Sequence, residues 1–526
     1  MTVRPVSPRG VGAAAGAVAA GMALATGELL SGLSDRMPSL VVAVADVFVD
    51  ETPGGIVRWS IDTFGATQKT ILVVGIVVVA LAVGAGLGLV ARRRFAAAAG
   101  GFAAFGVLGA WAGARGPQFS DGAALVGAAA AAAAGVAALR LVLTSPARVR
   151  GEAVDGPGGG PAAGTVAVRD RRSFLVALGA LAVMGAAGGA LGRRFQQGRS
   201  VRAARDRLAA RLGGDPPVVP AGVRTFDGSV PGLSPMITSN DDFYRIDTAF
   251  LVPQVDPDGW SVRVTGMVGR EVDLTLDDLL AMDQHEEFVT LSCVSNEVGG
   301  DLVGTAQWSG VPLRDVLDRA GVVQGATQVV GRSVDGWTAG FPTEVAFDGR
   351  TALVAVTMNG EPLPVKHGFP ARLVVPGLYG YVSATKWLAE IELTTWDGFD
   401  AYWVPRGWAK EGPIRTQSRI DVPRRGSTVP AGRTAVAGVA WAPTRLIERV
   451  EVRVDDGGWH DARLSDALSD DTWVQWLYEW DATPGEHRLQ VRATDGTGET
   501  QTPQRTAPAP SGATGHHTVS VTVTAA

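Results

Sequence analysis

The chain has 526 residues, a formal net charge of −5 and a single cysteine. The length allows several domains, and one thiol excludes an intrachain disulfide, a CxxC zinc site, a cysteine-ligated iron–sulfur cluster and a CxxCH haem attachment. The near-balanced charge, with no long basic run, gives no reason to expect nucleic acid.

Composition changes along the chain. Ala, Gly, Val and Leu dominate from Val11 to about Arg194, whereas 12 of the 14 tryptophans lie after Phe250. Five stretches, roughly 11–33, 70–91, 96–114, 122–143 and 173–192, are apolar enough to span a bilayer, which takes about 20 residues. The first carries Glu28, and Arg140 sits near the end of the fourth, where it can snorkel. Arg4 and Arg9, then Arg92, Arg93 and Arg94, then Arg148, Arg150, Arg169, Arg171 and Arg172 fall in alternate loops, while the loop 34–67 between them is acidic. By the positive-inside rule the N-terminus is cytoplasmic and everything after the fifth span lies outside, with Arg193 and Arg194 running against the pattern. These signals override the cytosolic hint that a lack of disulfides gives.

The fifth stretch opens with D-R-R-S-F-L-V (170–176), which resembles a twin-arginine export signal. No A-x-A-like cleavage site follows directly, so an uncleaved anchor is expected. No histidine precedes His285, so the membrane half has no bis-histidine haem site and reads as an anchor or assembly platform. Residues 151–165 form a Gly/Pro-rich loop, and a basic, helix-prone piece passes into Pro-rich coil as a spacer over 196–235.

Beyond the spacer, 236–415 mixes strands (W-S-V-R-V-T-G, F-V-T-L-S-C) with short helices (L-T-L-D-D-L-L and V-P-L-R-D-V-L-D-R-A, closed by Gly321). This is an α+β pattern. From 416 to 526 alternating strands such as E-R-V-E-V-R-V-D and H-T-V-S-V-T-V are separated by turn signals, an immunoglobulin-like sandwich signature without the usual cysteine pair.

Cys293 follows F-V-T-L-S directly. A lone cysteine there is most simply a small buried hydrophobe. It could also be a nucleophile, which needs a nearby base, or a soft-metal ligand, which needs a cofactor that brings further ligands. The surrounding run L-S-C-V-S-N-E-V-G-G-D-L-V-G-T-A-Q-W-S-G-V-P-L, with Cys293, Asn296, Trp308, Gly310, Pro312 and Leu313, resembles the molybdenum-binding loop of the sulfite oxidase family of molybdopterin oxidoreductases. D-F-Y-R-I-D (242–247), S-V-D-G-W-T (333–338), K-H-G-F-P-A-R-L-V-V-P-G, L-Y-G-Y-V-S-A-T-K-W and A-Y-W-V-P-R-G-W (401–408) follow in the family's order, and the resemblance covers roughly 220–526. It implies a sulfite-oxidase-like molybdopterin domain over 236–415 and a dimerisation domain, of immunoglobulin type, over 416–526; the five-helix membrane region over 1–195, read from hydropathy, lies outside it.

The resemblance also implies roles. Cys293 would be the only protein ligand to molybdenum, with the pterin supplying two sulfurs. His367, Arg372 and Lys386 would bind the pterin phosphate, helped by Ser383 and Thr385, and Asp335 would accept from pterin N–H groups. Tyr244 and Asp247 would also touch the cofactor. Arg245, read as buried, would face the substrate oxygen, and Tyr402 would be the active-site tyrosine. Ile246 and Asp247 stand where the family usually has Asn-His, which weakens the case for sulfite itself. His285, His460, His487, His516 and His517 fit no motif and read as surface residues.

The expected function is membrane-anchored, extracytoplasmic oxygen-atom transfer on a small anionic or oxo substrate such as sulfite. Electrons would pass to or from a separate cytochrome or quinone-linked partner, and the chain could form a homodimer. Reduction of an S-oxide or N-oxide on the same fold, or a cofactor-free membrane-tethered binding module, are the alternatives.

Overall fold

A computed structural model describes residues 8–34, 37–117, 119–144, 171–198 and 201–525. The chain divides into two compact units, Met1–Ser200 and Val201–Ala526.

The first unit is helical: α1 (Pro8–Leu33), α2 (Leu40–Asp50), α3 (Gly54–Phe64), α4 (Gln68–Ala91), α5 (Phe95–Ala114), α6 (Asp121–Thr144) and α7 (Arg171–Gly198). Of the described helices, α1, α4, α5 and α6 are long and apolar enough to cross a membrane. The fifth expected span falls in α7, but its apolar segment among the described residues is only Leu178–Gly192. Among the described residues, length and composition therefore support four spans. Arg171 and Arg172 open α7, while Asp170 and the Gly/Pro-rich stretch 151–165 lie outside the described residues. So do Arg4, Arg148, Arg150 and Arg169.

Helix α1 packs against α4, α6 and α7. Glycine permits the α1–α4 approach: a Cβ at Gly16 would lie 2.0 Å from Gly84 O, and one at Gly88 would lie 2.1 Å from Gly12 O. With no hydrophobic drive between helices in lipid, such small-residue seams let backbones meet and gain dispersion contact. The acidic segment expected as a loop over 34–67 is mostly α2 and α3. Ser39 starts α2 by accepting the Val42 N–H at 3.3 Å, and its hydroxyl donates to Glu28 at 2.5 Å.

The second unit begins with α8 (Arg202–Leu212). The expected spacer is fastened to this unit rather than free. Arg205 donates to the carbonyls of Pro362 and Leu363, both at 3.1 Å, and pairs with Glu361 at 2.6 Å. Asp227 accepts from Gln475 at 2.6 Å and from the Met236 N–H at 3.1 Å. A free tether would leave those donors and acceptors to water.

Then come β1 (Ser261–Gly266), β2 (Val272–Thr275), α9 (Leu276–Ala281), β3 (His285–Ser292), β4 (Val303–Pro312), α10 (Leu313–Ala320), β5 (Gln328–Ser333), β6 (Thr338–Pro342), β7 (Leu353–Met358), β8 (Glu361–Pro362), β9 (Arg372–Val374), α11 (Gly380–Ser383) and β10 (Leu388–Thr394). Thr275 and Asp278 form a reciprocal capping box on α9. One sheet runs β2-β1-β10-β5-β6 and another β3-β4-β7-β8, with β9 on β7. Val289, Leu291, Trp308, Val354, Leu373 and Ile391, all essentially inaccessible, belong to one core that both sheets share.

The C-terminal region is β-rich: β11 (Gln417–Val422), β12 (Thr428–Pro430), β13 (Gly432–Trp441), β14 (Ile447–Val454), β15 (Trp459–Asp461), β16 (Arg463–Leu464), β17 (Val474–Ala482), β18 (Gly485–Asp495) and β19 (His517–Thr524). Two sheets, β11-β13-β17-β16 and β12-β19-β18-β14-β15, enclose a core that includes Val436, Trp476, Val450, Leu489 and Val521.

Candidate active site

Strand β3 is held on one edge by β4, and the Thr290 N–H donates to Asp471 O from the C-terminal region at 3.0 Å. It delivers Cys293 just past its last residue. The Cys293 N–H donates to Leu302 O at 2.9 Å, and Asn296 Oδ1 accepts the Leu302 N–H at 3.0 Å, so 293–302 is a loop closed on itself. The thiol is buried and its Sγ accepts the Ser295 N–H at 3.4 Å. Burial pushes its pKa up, against the pull of that hydrogen bond and of the Lys386 charge.

His367 ends a short turn before β9, Arg372 opens β9, and Lys386 lies between α11 and β10. These segments are back to back. A Cβ on Gly368 (φ +111°) would sit 3.0 Å from Lys386 Cα, and the Trp387 N–H donates to Gly368 O at 3.2 Å. Trp387 itself has φ +46°. A non-glycine residue held there costs roughly 1–3 kcal/mol, and the bond from Trp387 Nε1 to Val365 O at 2.9 Å helps to fix it.

The result is a desolvated cation cluster. Arg372 is 3% exposed, donates to His367 O at 3.1 Å and lies 4.9 Å from the Trp308 ring centroid. Burial lowers its pKa to about 10. Lys386 donates to Ile246 O at 3.0 Å and to Asp247 Oδ2 at 3.2 Å. Burial brings its pKa down to about 8, with Asp247 working the other way. His367 is 1% exposed, and its Nε2 lies 3.3 Å from Asn240 O, which fixes Nε2 as the donor. Burial, then Lys386, Arg372 and Lys366, hold the ring neutral down to about 3. Its Nδ1 is buried without a hydrogen-bond partner, as is Thr385 Oγ1. Buried polar atoms are almost always satisfied, so two orphans beside desolvated cations mark where a polar group belongs.

The other expected residues divide. Half-buried Tyr244 stacks on Phe243 at 5.3 Å, and burial and Cys293 push its hydroxyl pKa up. Asp247 joins the cluster and takes Arg245 Nε at 2.8 Å as well as Lys386. Arg245 is not the buried guanidinium expected: its side chain is 40% exposed and pairs from the rim with the buried Asp247, 8% exposed, two residues on. Asp335 occupies the β5–β6 turn; its Oδ1 accepts the Trp337 N–H at 3.1 Å, and burial raises its pKa. Ser383 is fully buried and donates to Tyr379 O at 3.1 Å. The Tyr402 N–H donates to Thr338 at 3.0 Å, and the Arg406 guanidinium covers its ring at 3.7 Å; those contacts tie it to β6 and its own loop.

Sequence reasoning passed over Asn240, Tyr379 and His517. Asn240 lies just ahead of D-F-Y-R and carries no charge to flag it. Burial raises the Tyr379 pKa to about 12, and the Cys293 thiol adds to the rise. His517 is not a surface residue: its Nδ1 accepts the Ile420 N–H at 2.9 Å, and burial lowers its pKa to about 4.

Among the described residues no group of three His, Cys, Asp or Glu side chains converges on one point. A metal bound at Cys293 must therefore arrive with further ligands. The cation cluster and the unused Thr385 hydroxyl suit a group carrying phosphate, because charge and a free donor lie together, while His367 Nδ1, an acceptor in this tautomer, suits an N–H or O–H of the same cofactor.

Comparison with known proteins fits this. A family profile described as an oxidoreductase molybdopterin binding domain matches residues 249–403. "Uncharacterized oxidoreductase YuiH" of Bacillus subtilis (strain 168) is 35% identical over 153 residues, which is 29% of this chain and 74% of that protein. "Sulfite oxidase, mitochondrial" of Rattus norvegicus is 32% identical over 256 residues, 40% of this chain and 46% of the relative. The chain belongs to the sulfite oxidase family of molybdopterin oxidoreductases. "Sulfite oxidase" of Gallus gallus is 31% identical over 307 residues, 48% of this chain and 65% of that protein. This family member thus spans about half the length of the rat enzyme and less than two thirds of the chicken one. Its segment 249–403 is an oxidoreductase molybdopterin binding domain, and its cofactor is molybdenum-molybdopterin.

Proposed function

We propose that this sulfite oxidase family protein is anchored in the cytoplasmic membrane and carries out oxygen-atom transfer on a small oxo substrate outside it. The observation that carries the reading is the buried cluster His367, Arg372 and Lys386, with unpartnered His367 Nδ1 and Thr385 Oγ1, near enough to Cys293 for the Lys386 charge to act on its thiol. When bound, the cofactor supplies the two-electron, oxygen-atom-transfer chemistry.

The chain's own residues do the rest. Cys293 is the one protein ligand to the metal. His367, Arg372, Lys386 and Thr385 hold the phosphate end, with Ser383 fixing the turn that presents them. Asp335 and Tyr244 line the pterin. Arg245 meets the substrate oxygen at the rim, Asp247 orients both Arg245 and Lys386, and Tyr402 closes the far side. The C-terminal sheets form an immunoglobulin-like sandwich that serves a homodimer, and a separate cytochrome or quinone-linked protein exchanges the electrons.

The test is molybdenum and pterin quantification on the full chain, wild type beside Cys293→Ser. Stoichiometric metal in the first and its loss from the second are expected; metal-free wild type, or undiminished metal in the variant, refutes the assignment. A second reading, reduction of an S-oxide or N-oxide, is favoured by the rim. Asp247 already neutralises part of the Arg245 and Lys386 charge, and Ile246 beside them is 47% exposed. Turnover of sulfite with an artificial acceptor, against sulfoxide with a reduced dye, separates the two.

A further inference from the structure

We propose that the C-terminal β-sandwich positions Cys293, with Arg419 and His517 clamping the loop 293–302 from outside the molybdopterin domain. This rests on the reading of Cys293 as the metal's protein ligand.

The loop's own bonds lie at its ends, at Asn296 and in the turn where the Gly300 N–H donates to Glu297 O at 2.8 Å. The outer side of its tip, Gly299–Gly300, is held by the sandwich. Arg419, on β11, donates from Nη1 to Gly300 O at 2.8 Å. Its Nε donates to Asp421 at 2.6 Å and its Nη2 to Ser234 at 2.8 Å. Asp421 in turn accepts the Ser234 N–H at 3.0 Å. Every nitrogen of the guanidinium is thus engaged, and the side chain is only 11% exposed, so it cannot pivot away from Gly300.

His517, at the start of β19, meets the other half of the tip. A Cβ on Gly299 (φ +83°) would fall 2.2 Å from the imidazole Cδ2, so ring and backbone are in direct contact. The Ile420 N–H, donating to Nδ1, fixes the ring plane. Gly300 presses from the opposite side on Asn296: a Cβ there would lie 2.5 Å from Oδ1, the atom that closes the loop onto Leu302. Displacing the tip therefore disturbs Asn296, and Asn296 accounts for the turn that starts at Cys293. The contacts of Arg419 and His517 with this region run to Gly299 and Gly300, and they act on Cys293 through the loop. They are positioning residues.

The single cysteine makes the test direct. The cofactor-free full chain in detergent is alkylated with iodoacetamide, and the rate at Cys293 is followed by mass spectrometry beside the unfolding midpoint from tryptophan fluorescence. Arg419→Met and His517→Ala are each expected to raise the rate about ten-fold, as loss of a charge-assisted contact implies, at a nearly unchanged midpoint. Arg419→Lys recovers part of the protection. Arg433→Gln, on the same sandwich but paired with Glu479 on β17, leaves the rate unchanged. An unchanged rate in both clamp variants, or an equal rise in Arg433→Gln, overturns the proposal. If neither variant folds, amide exchange on the wild type decides. The Cys293 and Ile420 amides must open together; independent exchange refutes the clamp. Molybdenum retained by Cys293→Ser would sink the ligand reading instead, while the labelling result still judges the clamp.

Discussion

Acidifying the cofactor-free protein tests the buried cluster through His367. The ring is 1% exposed, with Arg372, Lys386 and Lys366 raising the potential around it and only Asn240 O in contact with its proton. Its folded pKa is lowered to about 3, against 6.5 in the unfolded chain. The sign follows. Between those values the unfolded chain binds the proton and the folded one does not, so acid favours unfolding. The stability is fully present above pH 6.5 and is lost progressively as the pH falls toward 3. Each pH unit is worth about 1.4 kcal/mol, so at pH 5 the histidine alone removes about 2 kcal/mol. The assay is urea unfolding followed by tryptophan fluorescence, which reports mainly the second unit, where 12 of the 14 tryptophans lie. Wild type and His367→Gln are compared at pH 7 and pH 5. His517, with its pKa lowered to about 4, contributes a parallel slope in both proteins. His367→Gln must therefore lose stability less steeply than wild type, by about 2 kcal/mol over the interval. Equal slopes would refute the picture of a neutral, desolvated His367.

Thr385→Val removes an orphaned hydroxyl at constant shape; the cofactor-free protein should be unchanged or more stable by about 1 kcal/mol, while pterin retention falls, both measurable on one preparation. Asp247→Asn strips the counter-charge from Lys386 and Arg245; breaking a buried pair costs about 3 kcal/mol, read by the same unfolding assay, and KM for anionic relative to neutral oxo substrates should fall. Gly88→Val forces α1 and α4 apart, because a Cβ there already lies 2.1 Å from Gly12 O, whereas Gly86→Val enters open space; detergent thermal stability should drop for the first and hold for the second.

Residue chemistry that depends on charge and local pattern was legible in the sequence. His367, Arg372 and Lys386 stand in one spaced motif, and all three reach the cluster. Strands β1, β3, β14, β18 and β19 follow from alternation. What escaped depends on partners distant along the chain. Strand β17 begins V-Q-W-L with every side chain buried, Gln475 included, so it shows no alternation. Helix α2 is a β-branched run that packing and the Ser39 cap hold helical against propensity. Arg245 reads as a buried active-site cation until Asp247 pairs with it at the rim. The helix-prone piece that becomes α8 and the Pro-rich coil after it read as a free spacer because their bonds go to the distant Glu361, Pro362 and Gln475. Tyr379 and His517 carry no local signal; only the tertiary fold sets them beside Cys293 and Gly299.

The clamp on Gly300 has a consequence for biosynthesis. Arg419 reaches Gly300 from 119 residues downstream, and the histidine on Gly299 stands later still, at the start of β19. Until β11 has been translated, the loop bearing Cys293 is closed only from within its own domain, and the contact on Gly299 waits for β19. The thiol passes through synthesis in a looser setting than the one it keeps.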